Sequence, residues 1–388
     1  MTRSTAFFIN GGAGRVICSL PAFELYEKEN PDDDFVIVCE GGMDFYKGHP
    51  TLHNRAYDHW HKGLFEEHIK DRDCVTPEPY RVWEYYNQKC DLAQAFDIDI
   101  NNKGLRKVGA PKIYPNKQEI VQAATIVEEI KQGTGKDKVL VVQPFGRTTE
   151  THGDFIVDPT SRSFQLNNIV DIINILKKEY AIIIMSEIPV PLEETENKQY
   201  PVAQPQIPDL RIWSSVIDVA DHFLGCDSLG QHMAKALDGS ATIITGSTYP
   251  INISYPDDPK FDIIDVGDGR RVYAPIRLTM EEEQDRHNDE VMELTTEQID
   301  EICKSVRKHL GKGVTKKITE TKKQMSKLDS WIEQYLPVKS IINMPFSLAT
   351  FMASSQLGLL PEVLIAINMS LSEPRALICL LKIVSYSK

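Results

Sequence analysis

The chain has 388 residues, of which 41% are hydrophobic and 26% charged, and its formal net charge is −13 at pH 7. This length is sufficient for two domains with full hydrophobic cores, and the composition is that of an ordinary globular protein. The negative charge disfavours a stable complex with nucleic acid or an anionic membrane, although a local basic patch remains compatible with it.

The seven cysteines form no CxxC pair, which argues against both a disulfide framework and a zinc ribbon. The first residues lack the apolar stretch and small-residue cleavage site of a signal peptide. No uninterrupted apolar run reaches the 18 residues of a transmembrane helix. We therefore expect a soluble protein in the reducing cytoplasm.

A strand–helix–strand pattern opens the chain. The apolar strand Ala6–Ile9 leads into a glycine loop at residues 11–15, then a helix over Val16–Glu29 and a second strand over Asp34–Cys39. Residues 1–135 are therefore predicted to form an N-terminal Rossmann-like domain. The glycine loop lacks the GxGxxG spacing, which leaves a nicotinamide-dependent enzyme or a simple tight turn as alternative interpretations.

Five of the ten histidines fall between residues 49 and 68, and three of these lie in a stretch predicted to be helical over residues 57–70. His59 and His61 would share one face of a strand but lie on different faces of a helix. No carboxylate or cysteine stands at a matching spacing, so we predict no metal site. An acceptor-binding surface is favoured, with solvated helix residues as the alternative.

Residues 136–312 begin with Lys138–Gln143, a continuous apolar strand typical of buried parallel sheets. After a long polar loop, helices and strands alternate, which predicts a second doubly wound Rossmann-like domain. The predicted helices are 165–179, 213–219, 232–237 and 295–310, the predicted strands are 181–185, 220–224 and 241–245, and residues 257–290 are expected to be irregular.

The segment Gly225–Leu237 is a small polar loop that opens a helix directly after an apolar strand. Free backbone N–H groups and the positive end of the helix dipole make such a loop a natural phosphate site. Asp227 can contact the ligand there or cap the helix, and the two roles are compatible. Glu187, which follows another strand, is either a ligand of a ribose hydroxyl or an exposed loop acid.

The final segment, residues 313–388, is predicted to be a helical C-terminal extension. Its part from Ile341 to Val384 is apolar with few charges. Packing against the N-terminal domain is the favoured interpretation, and peripheral contact with a membrane surface is the alternative.

Four motifs resemble those of the heptosyltransferase-type glycosyltransferases, family 9, and they occur in the family's order between residues 5 and 250. The family has a Gly-Asp pair before Leu-Pro-Ala, a Pro-Gly-Ser/Thr loop, an Asp-Ser/Thr pair before a histidine, and a Gly-x-Thr-x-Pro loop. The corresponding segments are Gly14–Phe23, Pro144–Thr149 with Ser161–Phe164, Gly225–Leu237 and Gly246–Pro250.

The resemblance implies a GT-B fold, in which two Rossmann-like domains face one cleft and the nucleotide-diphosphate sugar lies mainly on the C-terminal domain. It also implies transfer of the sugar to a hydroxyl acceptor without a metal or another cofactor, because basic side chains and helix N-termini neutralise the leaving diphosphate. The candidate donor-binding residues are Arg147, Thr148, Thr149, Arg162, Asp227, Ser228, Gly230 and His232, and Gly12 and Gly14 are assigned to the acceptor-side loop.

One position departs from the family, which places an aspartate directly after the glycine of the first motif, where this chain has Arg15. A guanidinium cannot act as a general base at neutral pH. Glu40 is the preferred substitute, ahead of Asp44 and Asp58, while Arg15 would bind an anionic acceptor or assist the diphosphate. The acceptor is predicted to be a glycan, a lipid-linked sugar or a modified nucleobase. The alternative is a non-catalytic nucleotide-sugar-binding or scaffold protein that has lost its base.

Overall fold

The computed structural model describes residues 4–152, 155–272 and 290–313, which all belong to one unit of the chain, Met1–Lys316. The predicted extension lies outside the described residues from residue 314 onwards, and the domain boundary near residue 135 stays a prediction. Within the described ranges, no helix combines the length and the apolar character needed to cross a membrane.

The first sheet has four parallel strands in the order β3-β2-β1-β4. Its strands are β1 (Thr5–Ile9), β2 (Val36–Cys39), β3 (Ala56–Asp58) and β4 (Asp73–Val75). The helices of this half are α1 (Ala13–Glu29), α2 (Trp83–Tyr86), α3 (Leu92–Asn101) and α4 (Lys117–Thr134). The predicted strand–helix–strand opening is confirmed.

The predicted helix over residues 57–70 is wrong. Its first residues belong to β3, and only the short π-helix Phe65–Ile69 follows. Gly63 separates the two with a φ of 80°, in the left-handed region that glycine adopts readily and that a right-handed helix excludes.

The second half contains a five-stranded parallel sheet and a small antiparallel hairpin. The strands are β5 (Val139–Gln143), the hairpin pair β6 (Glu150–His152) and β7 (Phe155–Val157), then β8 (Ala181–Ile184), β9 (His222–Cys226), β10 (Ala241–Thr245) and β11 (Phe261–Asp265). The order in the large sheet is β11-β10-β9-β5-β8. The helices are α5 (Leu166–Leu176), α6 (Glu194–Gln199), α7 (Leu210–Val219), α8 (Leu229–Ala236), α9 (Pro250–Ile253) and α10 (Thr296–Leu310).

Two expectations for this half need correction. The segment expected to be irregular contains β11, which pairs in parallel with β10 along its whole length. The polar loop after β5 contains the hairpin of β6 and β7. The alternating pattern of strands and helices is otherwise as predicted.

The continuous apolar sequence of β5 is explained by burial on both faces of its sheet. Val139 and Val141 belong to the hydrophobic cluster that extends from the first sheet, whereas Leu140 and Val142 belong to the cluster beneath α5 and α10. All four side chains are fully buried. This is the environment expected for a central strand of a doubly wound sheet.

Arg211, at the start of α7, connects the two halves through a buried set of hydrogen bonds. Its guanidinium donates to both carboxylate oxygens of Glu119 on α4, at 2.6 and 2.7 Å. It also donates to the backbone carbonyls of Asp44 and Tyr114, at 2.9 and 2.7 Å. The bidentate geometry fixes both partners, so the loops of the first sheet are held relative to the second.

His222, at the start of β9, is buried and lies against α10. Its two ring nitrogens hydrogen-bond the hydroxyls of Ser240 and Thr242, at 2.7 and 2.9 Å. Its ring stacks on that of His309, with centroids 4.7 Å apart. Burial and the neighbouring His309 together lower the pKa of His222 to about 3, despite the nearby carboxylate of Asp262.

This depressed pKa predicts an acid-sensitive fold. As the pH falls from 6.5 towards 3, the unfolded chain binds a proton at His222 that the folded chain does not, so the free energy of unfolding decreases. A pKa lowered from 6.5 to about 3 corresponds to roughly 4 kcal/mol over that window. Urea unfolding at a series of pH values measures the slope, which should be shallower in His222→Gln and unchanged in the exposed control His152→Gln. Equal slopes in His222→Gln and the parent protein would contradict the prediction.

Candidate functional site

The first strand of each parallel sheet along the chain, β1 or β5, marks where the chain's winding reverses. β1 lies between β2 and β4, and β5 lies between β8 and β9. In open parallel sheets ligands bind outside the carboxyl ends of the strands at such switch points. The two positions in this chain are therefore the loops after β1 and β4 in the first sheet, and those after β5 and β9 in the second.

At the second switch point, the Gln143 side chain connects the loops that follow β5 and β9. Its amide nitrogen donates to the hydroxyl of Ser228 at 3.2 Å. Its amide oxygen accepts the backbone N–H of Gly230 at 2.8 Å. The backbone N–H of Gly230, which was predicted to bind phosphate, is therefore already hydrogen-bonded. Ser228 lies where the loops after β5 and β9 meet.

Gly230 has a packing role instead. A methyl group at this position would overlap the ring of Phe223 and lie 2.5 Å from Oε1 of Gln143. We expect Gly230→Ala to lower the free energy of unfolding by about 1–3 kcal/mol through overpacking. The control is Gly133→Ala on the exposed face of α4, where nothing lies within 4 Å. Urea denaturation measures both, and equal stability of the two variants would contradict the packing role.

A partly buried carboxylate, Asp158, organises the loop that follows β5. It accepts hydrogen bonds from the hydroxyls of Ser163 and Thr160, both at 2.6 Å, and from that of Thr148 at 2.9 Å. Burial raises its pKa, but these hydrogen bonds and the charge of Arg162 outweigh burial and lower the pKa to about 2. Asp158 is therefore ionised at neutral pH and fixes the Thr148 and Arg162 segments together.

Three of the four predicted phosphate-side residues, Thr148, Thr149 and Arg162, come together around this carboxylate, and Arg147 does not contact it. The Thr149 hydroxyl lies 2.8 Å from that of Ser163, and the Arg162 guanidinium donates to Thr160 at 2.9 Å. Arg147 is exposed and extends towards the loop of the first sheet. A methyl group on Gly12 would lie 3.4 Å from Nη1 of Arg147. The cation thus stands between the two switch points.

His232 lies at the contact between α1 and α8, where a methyl group on Gly14 would be 3.2 Å from its ring. Its Nδ1 is 2.8 Å from the hydroxyl of Tyr255 and 3.5 Å from Sγ of Cys18. Burial, with the charge of Arg162, lowers the pKa of His232 to about 4, so the ring is neutral at pH 7. Its position joins the two halves of the chain beside the acceptor-side loop.

The expectation that Asp227 caps α8 is wrong, because the helix begins at Leu229 and Ser228 is its N-cap. The Asp227 carboxylate is buried and accepts hydrogen bonds from the Gln231 amide and the Thr248 hydroxyl, both at 2.8 Å. It thereby ties the loop after β9 to the loop after β10.

Arg15 is buried on the first turn of α1, where its side chain lies against Gly11 of the glycine loop. Its guanidinium lies 3.6 Å from the carboxylate of Glu78, donates to the carbonyl of Pro77 at 3.3 Å, and lies over the ring of Tyr80. This pairing disfavours the predicted role of Arg15 as an exposed anion-binding side chain.

Glu40 is exposed directly after β2, at the carboxyl edge of the first sheet. Its carboxylate accepts the backbone N–H of Gly11 in the glycine loop. The predicted substitute base therefore adjoins the acceptor-side loop. Glu187 is exposed and lies three residues beyond the end of β8, which is the neighbour of β5 in the sheet.

Part of the histidine-rich segment forms a cluster. His61, Glu67 and His68 each offer one atom of a type that binds metals, and these atoms lie within 4.8 Å of one another. The expectation that no carboxylate matches the histidines is therefore wrong, because the turn at Gly63 brings Glu67 back to His61. This cluster does not bear on the prediction that sugar transfer uses no metal, which stays a prediction.

Three functional candidates were missed from the sequence, namely Glu78, Gln143 and Asp158. Gln143 ends an apolar strand, and a polar residue there is a usable signal because strand ends face the ligand crevice. Asp158 and Glu78 lie in loops and acquire their partners through tertiary contacts, so their positions in the sequence carry no comparable signal.

The two parallel sheets, with their switch-point loops brought together by Arg147 and His232, define a GT-B fold. The predicted fold class of two Rossmann-like domains facing a cleft is confirmed. No protein-family model and no curated protein sequence matches the chain.

The chain is similar in fold to solved structures that include the following three. The chain is similar to a glycosyl transferase family 9 protein from Veillonella parvula, at 12% identity and a TM-score of 0.52, with 78% of this chain and 96% of that chain covered. It is also similar to the iron-containing dodecameric glycosyltransferase TibC from enterotoxigenic E. coli (10% identity, 79% of each chain, TM-score 0.49). A third is E. coli heptosyltransferase WaaC with ADP (13% identity, 79% and 99% covered, TM-score 0.44). The first likeness confirms the resemblance to family 9 at the level of the fold.

Proposed function

We propose that this chain is a glycosyltransferase that moves a sugar from a nucleotide-diphosphate sugar to a hydroxyl acceptor. The observation that carries the proposal is the set of polar loops after β5 and β9, which Gln143 and Ser228 join at the second switch point. Beside them the exposed Arg147 approaches Gly12 in the glycine loop of the first sheet. A GT-B fold places a donor on one sheet and an acceptor on the other, and these loops are where the two would meet.

On the donor side, departure of a nucleoside diphosphate develops negative charge that preorganised donors stabilise. Arg147 supplies an exposed cation, and Arg162 is oriented by Thr160 beside the ionised Asp158. The hydroxyl of Ser228 accepts from Gln143 and so supplies a further donor, whereas the hydroxyls of Thr148 and Thr149 already bond Asp158 and Ser163 and hold the loop. Asp227 and His232 hold the surrounding loops, and Glu187 accepts a ribose hydroxyl.

On the acceptor side, Glu40 takes the proton of the attacking hydroxyl, and Gly12 and Gly14 allow close approach to the loop. The acceptor is a glycan, a lipid-linked sugar or a modified nucleobase. The burial of Arg15 against Glu78 favours a second candidate function, a nucleotide-sugar-binding protein without transferase activity, because the position that holds the family's aspartate carries no base.

We further propose that transfer needs no metal, since two arginines neutralise the diphosphate. A cytoplasmic location is proposed as well, supported by six described cysteines that are all free thiols. Addition of EDTA should therefore leave the transfer rate within about twofold of its initial value; a complete loss restored by a divalent cation would contradict metal independence.

Thermal-shift measurements with UDP, GDP and ADP test donor binding. One of the three should raise the melting temperature by several degrees at a hundredfold excess over its dissociation constant. The shift should be smaller in Arg147→Ala. Absence of any shift with all three nucleotides and their sugar derivatives would contradict both the enzyme and the binding protein.

A further inference from the structure

A recess of about 360 Å³ lies beside the first switch point, where the chain leaves the carboxyl end of β4. Its wall is formed by the segment after β4, by α2 and by the end of α3. Its lining side chains include those of Thr76, Glu78, Trp83, Glu84, Asp99 and Asn102. The position is one that a parallel sheet offers to a ligand.

Two buried polar atoms of the ion pair that Glu78, a lining residue of the recess, forms with Arg15 lack hydrogen-bond partners among the described residues. They are Nε of Arg15 and Oε1 of Glu78. The 3.6 Å between Nη2 of Arg15 and Oε1 of Glu78 is an ion-pair distance, too long for a hydrogen bond. Buried polar groups are nearly always hydrogen-bonded in folded proteins. The Arg15–Glu78 pair is thus incompletely satisfied. The carboxylate of Glu78 also lines the recess, where it can accept hydrogen bonds from the hydroxyl groups of a ligand.

Trp83 gives the recess an exposed aromatic face. Its side chain is 58% exposed although tryptophan is usually well buried. An indole presents a flat apolar surface next to a polar N–H group. A pyranose ring offers the complementary surface, with C–H groups on one face and hydroxyls around its edge.

The charges of the recess select against an anionic ligand. Three carboxylates line it, those of Glu78, Glu84 and Asp99, whereas Arg81 is the one cation among its lining residues. Arg15 is already paired with Glu78. A phosphate or carboxylate here would face an excess of negative charge.

We propose that this recess binds a sugar unit without anionic groups, neutral or bearing an amine, that belongs to the acceptor. The inference rests on the proposed function, because the same edge of the first sheet carries Glu40 and the acceptor-side loop. It narrows the acceptor to a glycan whose unit at this recess is unphosphorylated, held by stacking on Trp83 and by hydroxyl contacts to Glu78, Glu84 and Asp99.

Saturation-transfer NMR and titration of the full chain with simple sugars test the proposal. The probes are methyl glucoside, methyl galactoside, N-acetylglucosamine, glucosamine and glucose 6-phosphate. At least one neutral or amino sugar should bind, and at least tenfold more tightly than glucose 6-phosphate. Trp83→Ala should weaken that binding at least tenfold, and Trp60→Ala, a control for the 83% exposed indole of Trp60, should leave it unchanged.

A second variant, Glu84→Gln, keeps the shape of the recess and should weaken binding of an amino sugar more than that of a neutral one. Equal binding to Trp83→Ala and to the parent protein, absence of any sugar binding, or preference for glucose 6-phosphate would each overturn the proposal. Nucleoside diphosphate binding, measured in parallel, separates the two hypotheses. If the chain binds a nucleoside diphosphate but no sugar, only the proposed sugar site is contradicted. If it binds a sugar, loses that binding in Trp83→Ala and binds no nucleoside diphosphate, only the proposed transferase function is contradicted.

Discussion

Glu40→Gln is expected to lower the kcat of sugar transfer by about 100- to 10,000-fold, the range for loss of a general base. The amide preserves the shape of the side chain and can still accept the N–H of Gly11 through its oxygen. It cannot take a proton from the acceptor hydroxyl. Initial rates at saturating donor and acceptor measure the effect, and the KM for the donor should change little.

The matched control is Glu66→Gln, which removes an exposed carboxylate paired with Lys70 on the surface of the same half of the chain. Its kcat should equal that of the parent protein. Unchanged transfer by Glu40→Gln would exclude Glu40 as the base and direct attention to Asp44 and Asp58.

Arg147→Ala should reduce kcat/KM for the donor by about 100- to 1,000-fold, because a preorganised cation at the developing charge of the leaving diphosphate is removed. Arg147→Lys should recover part of the loss, since an ammonium keeps the charge but not the forked geometry of a guanidinium. Steady-state kinetics with varied donor concentration distinguish the two variants.

Arg270→Ala provides the control for loss of one positive charge from an exposed site in the second half of the chain. It should leave kcat/KM for the donor within about twofold. Arg147→Ala and Arg270→Ala with equal kinetics would contradict a role of Arg147 in donor binding or in stabilising the leaving group.

The fold was predictable wherever hydrophobic patterning was strong. The buried strands β1, β5 and β10 were placed to within one residue, because uninterrupted apolar runs leave few alternatives. β3 and β4 were missed since each has only three residues, and all of β4 is exposed. β9 begins two residues later than predicted, because the side chain of Asp221 bonds the N–H of Val139 just before the strand.

The candidate site was predictable in outline and less so in its contacts. Loops that follow buried strands were correctly expected at the carboxyl edges of the sheets, since this follows from local sequence. The partners of Arg15 and Asp158 depend on loops that the fold brings together, and Glu78 is 63 positions from Arg15 in the chain. The spacing of motifs in the sequence therefore predicted which loops form the candidate site, but not which side chains hydrogen-bond or ion-pair with one another.

The measurement that tests the central claim most directly is donor turnover, followed by mass spectrometry of the released sugar and nucleoside diphosphate. The parent protein, incubated with a panel of UDP-, GDP- and ADP-sugars, is predicted to release nucleoside diphosphate slowly from one donor in water and faster with a glycan acceptor. Arg147→Ala should slow the release by about 100- to 1,000-fold. Tight binding of a nucleotide sugar with no release under any condition would contradict the transferase and support the binding protein.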